Sequence, residues 1–299
     1  ALEAIAADYD LQLVAPAVNY CDVCVDIPGA ADDHDPRAWL DAFLAACEGC
    51  QVDYLAVHWY ACSPGALEWY LSLFDQYGLP LWLTEFACWE GNPGPAEQLQ
   101  YMIGAIDLLE QHPNVFRYAW FTGRSDGPGI DLLAAESGAL TELGEVYVNF
   151  NPVHDTTVYV PVPARIEAEN YARMSGILLE ATADEDGFAN VGWLDAGDWL
   201  EYQIDVPQTA GYVLDLRVAG PTGGQLAILL DGEQLLQLSV PATGGWQQWQ
   251  TRSTPIPLPA GQHRLRLRVN SPGFNLNWLA IQTGTVATTD LPDEPAAIL

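Results

Sequence analysis

Hydrophobic and polar positions follow two regimes along the chain. Up to about residue 149, short apolar runs alternate with longer amphipathic stretches. LQLVAPAV (11–18), VDYLAVHWY (52–60), LPLWLTEFA (79–87) and VFRYAWF (115–121) read as strands. Between them, residues 36–47 place Trp39, Phe43, Leu44 and Cys47 on one helical face. Residues 66–77 keep helical period until Gly78, residues 96–111 keep it until just before Pro113, and residues 135–148 are partly helical. The opening ALEAIAADYD reads as the back half of a helix. Four strand-then-helix units predict a parallel sheet with helical crossovers.

The second regime begins after NPVHDTTVYVPVPA (151–164), which carries three prolines and no helical period. Residues 150–164 therefore read as a linker. From Arg165 the signals are strands and turns: WLEYQIDV (199–206), YVLDLRVA (212–219), LAILLDG (226–232) and HRLRLRVN (263–270). The last of these alternates strictly, with Arg264, Arg266 and Arg268 on one face and Leu265, Leu267 and Val269 on the other, as expected of a half-buried antiparallel strand. The pattern predicts an all-β jelly-roll sandwich over residues 165–283 and a flexible tail over 284–299.

Composition narrows the function classes. The 299 residues carry 10 Lys+Arg, all of them Arg, against 40 Asp+Glu, for a formal charge of −30. Such a surface repels polyanions, so neither nucleic acid nor anionic lipid is an expected partner. No apolar run reaches the roughly 18 residues of a membrane span. Six cysteines, all within the first 88 residues, point to disulfides and an oxidising, extracellular compartment. Cys62 and Cys88 follow strands expected to be neighbours, so a bridge between them is plausible. Cys21 with Cys24 and Cys47 with Cys50 would form local pairs. A zinc site built from Cys21, Cys24, Cys62 and Cys88 is the alternative.

The first half poses an arithmetic problem. A complete (β/α)8 barrel needs about 250 residues, and roughly 150 residues with four strands make half of one. If the missing units lie upstream, or come from another chain, the visible strands are the fifth to the eighth. Barrel chemistry sits at the carboxyl ends of strands. There the chain offers Asn19 and Tyr20, then His58, Trp59 and Tyr60, then Thr84, Glu85 and Phe86, then Trp120. A carboxylate among aromatic rings suits glycoside chemistry, in which rings stack on a sugar and the carboxylate meets an oxocarbenium-like centre. Glu85 also has few potential partners, since this half holds only Arg37, Arg117 and Arg124. His58 reads equally well as a core histidine.

The segments VDYLAVHWYACSPGALEWYLSLF, YGLPLWLTEFACWEG, VFRYAWFTGR and LLAAESGALTELGEVY resemble the catalytic domain of glycoside hydrolase family 128, the Asl1-like endo-β-1,3-glucanases, over residues 1–149. The resemblance implies a retaining TIM-barrel hydrolase with Glu85 of TEF as nucleophile. It also implies that His58, Tyr60 and Trp120 line the glucan groove. The family's acid/base glutamate lies in an N-E-P-D motif, and that motif is absent from this sequence. Glu90, in the loop after Glu85, is not its replacement. The chain alone is therefore expected to be inactive.

The segments RIEAENYARMSG, NVGWLDAGDWLEYQIDVPQTAGYVLDLRVAG, ATGGWQQWQT and LPAGQHRLRLRVNSPGFNLNWLAIQ resemble family 6 carbohydrate-binding modules over residues 165–282. That resemblance implies two rings and an amide around a sugar, here Trp193, Trp246 and Asn275. Flat rings against C–H faces and an amide against hydroxyls suit an uncharged sugar. It further implies a structural Ca²⁺ held by Glu167, Glu169 and the residue at Asn277, where the family often has Asp. The expectation is the C-terminal portion of a secreted modular β-1,3-glucanase bound to β-glucan. The alternative is a non-catalytic glycan-binding or structural extracellular protein that retains half a barrel as scaffold.

Overall fold

The computed structural model describes residues 2–19, 35–47, 49–125 and 129–284. Chain contacts divide it into two compact units, Ala1–Phe150 and Asn151–Leu299. No described helix is long and apolar enough to cross a membrane.

The first unit runs α1 (Leu2–Tyr9), β1 (Val18–Asn19), α2 (Pro36–Ala46), β2 (Leu55–Trp59), α3 (Pro64–Ser72), β3 (Leu81–Phe86), α4 (Pro95–Gln111), β4 (Val115–Trp120) and α5 (Glu142–Asn149). The sheet is parallel in the order β1-β2-β3-β4, so each strand lies beside the next in sequence. The strand expected over residues 11–18 is cut short. Val14 makes only an isolated bridge with Tyr54, and regular pairing waits until Val18. Pro16 has no N–H to give the ladder. The helix expected over residues 66–77 starts earlier and breaks earlier. Ser63 caps it through the Ala66 N–H at 3.3 Å with Pro64 in the first turn, and after Ser72 the chain tightens into a 3-10 turn over Asp75–Tyr77.

Two faces of this sheet differ. Leu55, Val57 and Trp59 of β2 and Leu81, Leu83 and Phe86 of β3 are buried. Trp59 stacks on Tyr70 of α3 at 4.7 Å, and Phe86 meets Tyr101 of α4 at 6.4 Å. Tyr54, Trp82 and Phe116 instead form a ring cluster, with Tyr54 4.9 Å from Phe116, which remains 49% exposed.

The second unit is a sandwich of β5 (Val160–Pro161), β6 (Ala164–Glu167), β7 (Arg173–Ser175), β8 (Leu178–Ala181), β9 (Ala189–Gly192), β10 (Trp199–Val206), β11 (Ala210–Ala219), β12 (Gly224–Leu230), β13 (Glu233–Val240), β14 (Gln250–Leu258), β15 (Gly261–Ser271) and β16 (Asn275–Thr283). One sheet runs β13-β12-β15-β10-β5 with β7 also on β10, and the other runs β14-β11-β16-β9-β8 with β6 on β16. The alternation in β15 behaves as expected. Leu265, Leu267 and Val269 are buried, and Arg266 emerges on the other face to pair with Glu201 at 2.6 Å and cover Trp199 at 3.9 Å.

Residues 150–164 are not a free linker. Val160 and Pro161 pair with Ile204 and Asp205, the Val153 N–H donates to Asn170 Oδ1 at 2.9 Å, and Val162 is buried. The unpaired edge of β10 accounts for this, because a proline-bearing segment can still accept ladder hydrogen bonds at a sheet edge. The tail expected over 284–299 lies, beyond Gly284, outside the described residues.

Candidate functional site

Two groups of predicted residues converge, one in each unit. In the first, β2 and β3 run side by side, and a register shift after Val57 brings His58 opposite Glu85. Glu85 Oε2 accepts a short hydrogen bond from the Tyr60 hydroxyl and lies 3.4 Å from His58 Nδ1. The Glu85 side chain is 35% exposed, open enough to meet a ligand. Burial is the main cause raising the Tyr60 pKa, and the Glu85 hydrogen bond and charge add to it, so the phenol stays protonated and donates. Burial lowers the His58 pKa, and the Glu85 charge partly offsets that. The arrangement presents one carboxylate oxygen held by a phenol donor beside an imidazole, at the carboxyl ends of neighbouring parallel strands.

Trp120 is not part of it. Its side chain is 6% exposed, packs edge-on against Phe86 at 5.1 Å and donates from Nε1 to Ile130 O at 2.9 Å. Between Leu83 and Phe86, β3 takes three steps while β4 takes two, from Tyr118 to Trp120. The extra residue turns Phe86 and Trp120 together toward α4. The aromatic neighbours of Tyr60 are instead Trp89 and Phe121, edge-on at 6.2 and 5.9 Å, and Trp89 is 43% exposed. Both lie just past strand ends, the signal by which the sequence could have singled them out.

A disulfide joins Cys62 to Cys88 and braces the loops after β2 and β3. The Trp89 N–H donates to Tyr60 O at 3.0 Å, and buried Gln98 of α4 donates to Cys88 O. Cys47 pairs with Cys50. The bridged Cys62 and Cys88 cannot serve as zinc thiolates, which removes the four-thiolate alternative. Cys21, Cys24 and Tyr20 lie outside the described residues, and Asn19 is placed only as the last residue of β1.

In the second unit, Trp193, Trp246 and Asn275 line one cleft of ≈ 710 Å³. Both rings are more than half exposed, at 64% and 51%. Trp193 sits in the left-handed region at φ 57, a conformation that costs a non-glycine residue about 1–2 kcal/mol. Asn275 is buried and lines the same cleft. Its Nδ2 donates to Glu180 Oε1 at 2.5 Å and to Trp246 O at 3.1 Å. Glu180 Oε1 also accepts from Asn190 Nδ2 and Gln247 Nε2, each at 3.1 Å. Gly192 backs this cluster. A Cβ there would stand 3.2 Å from Glu180 Cδ and 3.3 Å from Asn275 Oδ1, so the motif NVGW needs its glycine for close packing. Glu180, Asn190 and Gln247 were not singled out in the sequence, because they belong to three separate segments that only the sandwich joins.

The predicted calcium ligands meet in part. Asn277 Nδ2 donates to Asp184 Oδ2 at 2.9 Å, which turns its Oδ1 the other way. That oxygen is buried and has no hydrogen-bond partner among the described residues. A Cβ on Gly187 would lie 3.8 Å from both Asn277 Oδ1 and Glu167 Oε2, so the two oxygens face one gap. Arg165 already donates to both Glu167 oxygens, Nε to Oε1 at 2.8 Å and Nη2 to Oε2 at 3.2 Å. Burial nevertheless raises the Glu167 pKa; Arg165 opposes the rise, and Asp186 and Asp184 add to it. Glu169 is buried close enough to Tyr202 to raise the pKa of that phenol, after the larger effect of burial. β6 ends at Glu167, so the same-face rule for residues i and i+2 does not carry through to Glu169. Glu167 and Asn277 thus come together while Glu169 does not join them, and among the described residues no three His, Cys, Asp or Glu side chains gather as a metal site.

Residues 1–147 match the family model described as the glycosyl hydrolase catalytic core, and residues 167–283 match carbohydrate binding module family 6. The chain is 35% identical over 159 residues to alkali-sensitive linkage protein 1 of Schizosaccharomyces pombe, covering 49% of this chain and 29% of that one. It is 37% identical over 120 residues to the clotting factor G alpha subunit of Tachypleus tridentatus, covering 39% and 18%. The chain thus spans less than a third of either relative. Among solved structures, a β-1,3-glucan-binding family 6 module from Bacillus halodurans is 34% identical, with 42% of this chain and all of that one covered at a TM-score of 0.40.

Proposed function

We propose, for a chain that joins a segment of the glycosyl hydrolase catalytic core family (residues 1–147) to a family 6 carbohydrate-binding module (residues 167–283), the role of C-terminal portion of a secreted β-1,3-glucanase. The observation that carries the reading is Glu85 Oε2, shared by the Tyr60 hydroxyl and His58 at the ends of β2 and β3. Glu85 is the nucleophile. Tyr60 donates to the oxygen that carries charge before attack and after release, and Trp89 offers an exposed ring for a pyranose face.

A retaining site needs a second carboxyl group about 5–5.5 Å away to protonate the leaving oxygen. That group belongs to the other half of the barrel, supplied upstream in the same polypeptide or by another chain. The ring cluster of Tyr54, Trp82 and Phe116, with Phe116 half exposed, supports the existence of a covering half. The four parallel strands are then strands five to eight of a (β/α)8 barrel, and this chain by itself does not hydrolyse glycosides.

The module holds the enzyme on β-glucan through Trp193, Trp246 and Asn275. A Ca²⁺ held by Glu167, Glu169 and Asn277 would stiffen the loop carrying Gly187. The disulfides fit a secreted protein. The test is laminarin hydrolysis by the full-length protein and its Glu85→Gln variant. Loss of the nucleophile is expected to lower kcat by at least about a thousandfold. An unchanged rate removes Glu85 from the chemistry. A full-length protein that binds laminarin without cleaving it leaves the non-catalytic reading standing.

A further inference from the structure

We propose that the Cys62–Cys88 disulfide is a positioning element for glycan capture: it holds the Trp89 ring in place beside Tyr60, and through that ring it sets how tightly the polysaccharide is held without setting how fast Glu85 reacts. The inference rests on reading Glu85, Tyr60 and Trp89 as a glycoside site and adds what fixes the binding part of that site.

Regular pairing between β2 and β3 ends at Trp59 and Phe86, and one more backbone bond follows, from the Ala87 N–H to Trp59 O at 3.2 Å. The rings of Tyr60 and Trp89 lie beyond that point, where the ladder no longer joins the two segments. Two backbone bonds and the disulfide take over. The Trp89 and Glu90 N–H groups donate to Tyr60 O at 3.0 and 3.3 Å, and Cys62 is bonded to Cys88. The Cys62 end is anchored, because the next residue, Ser63, caps α3 through the Ala66 N–H and Tyr70 of α3 stacks on Trp59. The Cys88 end is buried, and Gln98 of α4 donates to its carbonyl. Past Trp89 the chain turns through Gly91 and Asn92, at φ 76 and 56, and no strand or helix resumes before Pro95. Trp89 is therefore held from the Cys88 side.

The Trp89 ring is 43% exposed and meets Tyr60 edge-on at 6.2 Å. An exposed ring on a backbone fixed next door by a covalent bond keeps its orientation before any ligand arrives. A sugar face laid on it costs less ordering free energy than the same face laid on a loose loop. Glu85 depends on the bridge far less. It lies within β3, ahead of the last ladder pair, and the Tyr60 hydroxyl and His58 meet its carboxylate directly. Removing the bridge therefore acts on binding more than on chemistry. The Cys47–Cys50 bridge spans three residues at the end of α2, ahead of β2, and serves as the control.

The experiment measures laminarin hydrolysis by the full-length protein, by its Cys62→Ala plus Cys88→Ala variant, by Trp89→Ala and by the combination of all three. Loss of the bridge is expected to raise KM about tenfold and to leave kcat within about twofold of the parent, the split that separates lost binding from lost chemistry. Trp89→Ala should raise KM by a similar factor. Removing the bridge in the Trp89→Ala background should then change little, because both act through one ring. Cys47→Ala with Cys50→Ala should leave KM unchanged. That control variant also gives a second route, since reduction then opens Cys62–Cys88. The two thiols of dithiothreitol pass two electrons and two protons to the cysteine sulfurs, the protein S–S bond breaks, and the reagent closes its own. An unchanged KM, a fall in kcat alone, or bridge and Trp89 effects that simply multiply overturns the inference. If neither the variant nor the reduced protein stays folded, the bridge is a staple of the fold and the inference falls. Failure of the underlying reading looks different: the parent leaves laminarin uncut, or Glu85→Gln cuts it at the parental rate.

Discussion

The two cleft tryptophans give the sharpest quantitative expectation. Trp193 and Trp246 are 64% and 51% exposed, so neither contributes much to the sandwich core. A pyranose face laid on an indole covers on the order of 80 Å² of apolar surface, which at about 25 cal/mol per Å² amounts to about 2 kcal/mol per ring. Each single alanine variant should therefore weaken binding about thirtyfold, since about 1.4 kcal/mol is a factor of ten. The double variant should lose less than the product of the two. A ligand clasped between rings loosens from the second once the first is gone, and such neighbours are not additive. Calorimetry of the full chain against a β-1,3-glucan oligosaccharide reads both quantities. The heat-capacity change on binding should also become less negative as apolar burial falls. Stability gives the internal control. Trp193 occupies φ 57, so Trp193→Gly relieves backbone strain while removing the ring, and binding should fall without a drop in melting temperature. A double alanine variant that is folded and binds within twofold of the parent would refute the assignment of this cleft.

Two further expectations concern charge. His58 is held below its ordinary pKa of 6.5 by burial, with Glu85 partly offsetting the effect, so Glu85→Gln should move its titration midpoint lower still. The unfolded imidazole takes its proton near 6.5 and the folded one only at lower pH. This group therefore costs no stability above 6.5 and an increasing amount as pH falls from there through the folded midpoint. A midpoint that rises in the variant, followed by NMR of the His58 ring, would contradict the arrangement at Glu85. At the cation site, chelation should lower the module's melting temperature. Asn277→Asp should deepen that dependence, because the new carboxylate faces Asp184 where Nδ2 now donates at 2.9 Å and gains from a cation where the amide does not. Melting temperatures insensitive to chelator and to added Ca²⁺ in both proteins would dismiss the site.

What the sequence determined by itself was local. Period-two alternation in HRLRLRVN fixed which side of β15 is buried, because a pleated strand sends neighbouring side chains to opposite faces. The order of apolar runs and amphipathic stretches implies four parallel strands with crossovers, and the carboxyl ends of β2 and β3 mark His58, Tyr60 and Glu85. Trp193, Trp246 and Asn275 were legible through the resemblance to family 6 modules. Tertiary structure decided whatever depended on register and on joining distant segments. One extra residue in β3 turned Trp120 into the interior and left Trp89 beside Tyr60. The free edge of β10 captured Val160 and Pro161, which composition alone assigned to a linker. Glu180, Asn190, Gln247 and Asn275 lie up to 95 residues apart and carry no common pattern. Their hydrogen bonds exist because β8, β9, β16 and the loop after β13 close around one carboxylate, and such long-range pairing has no trace in local periodicity.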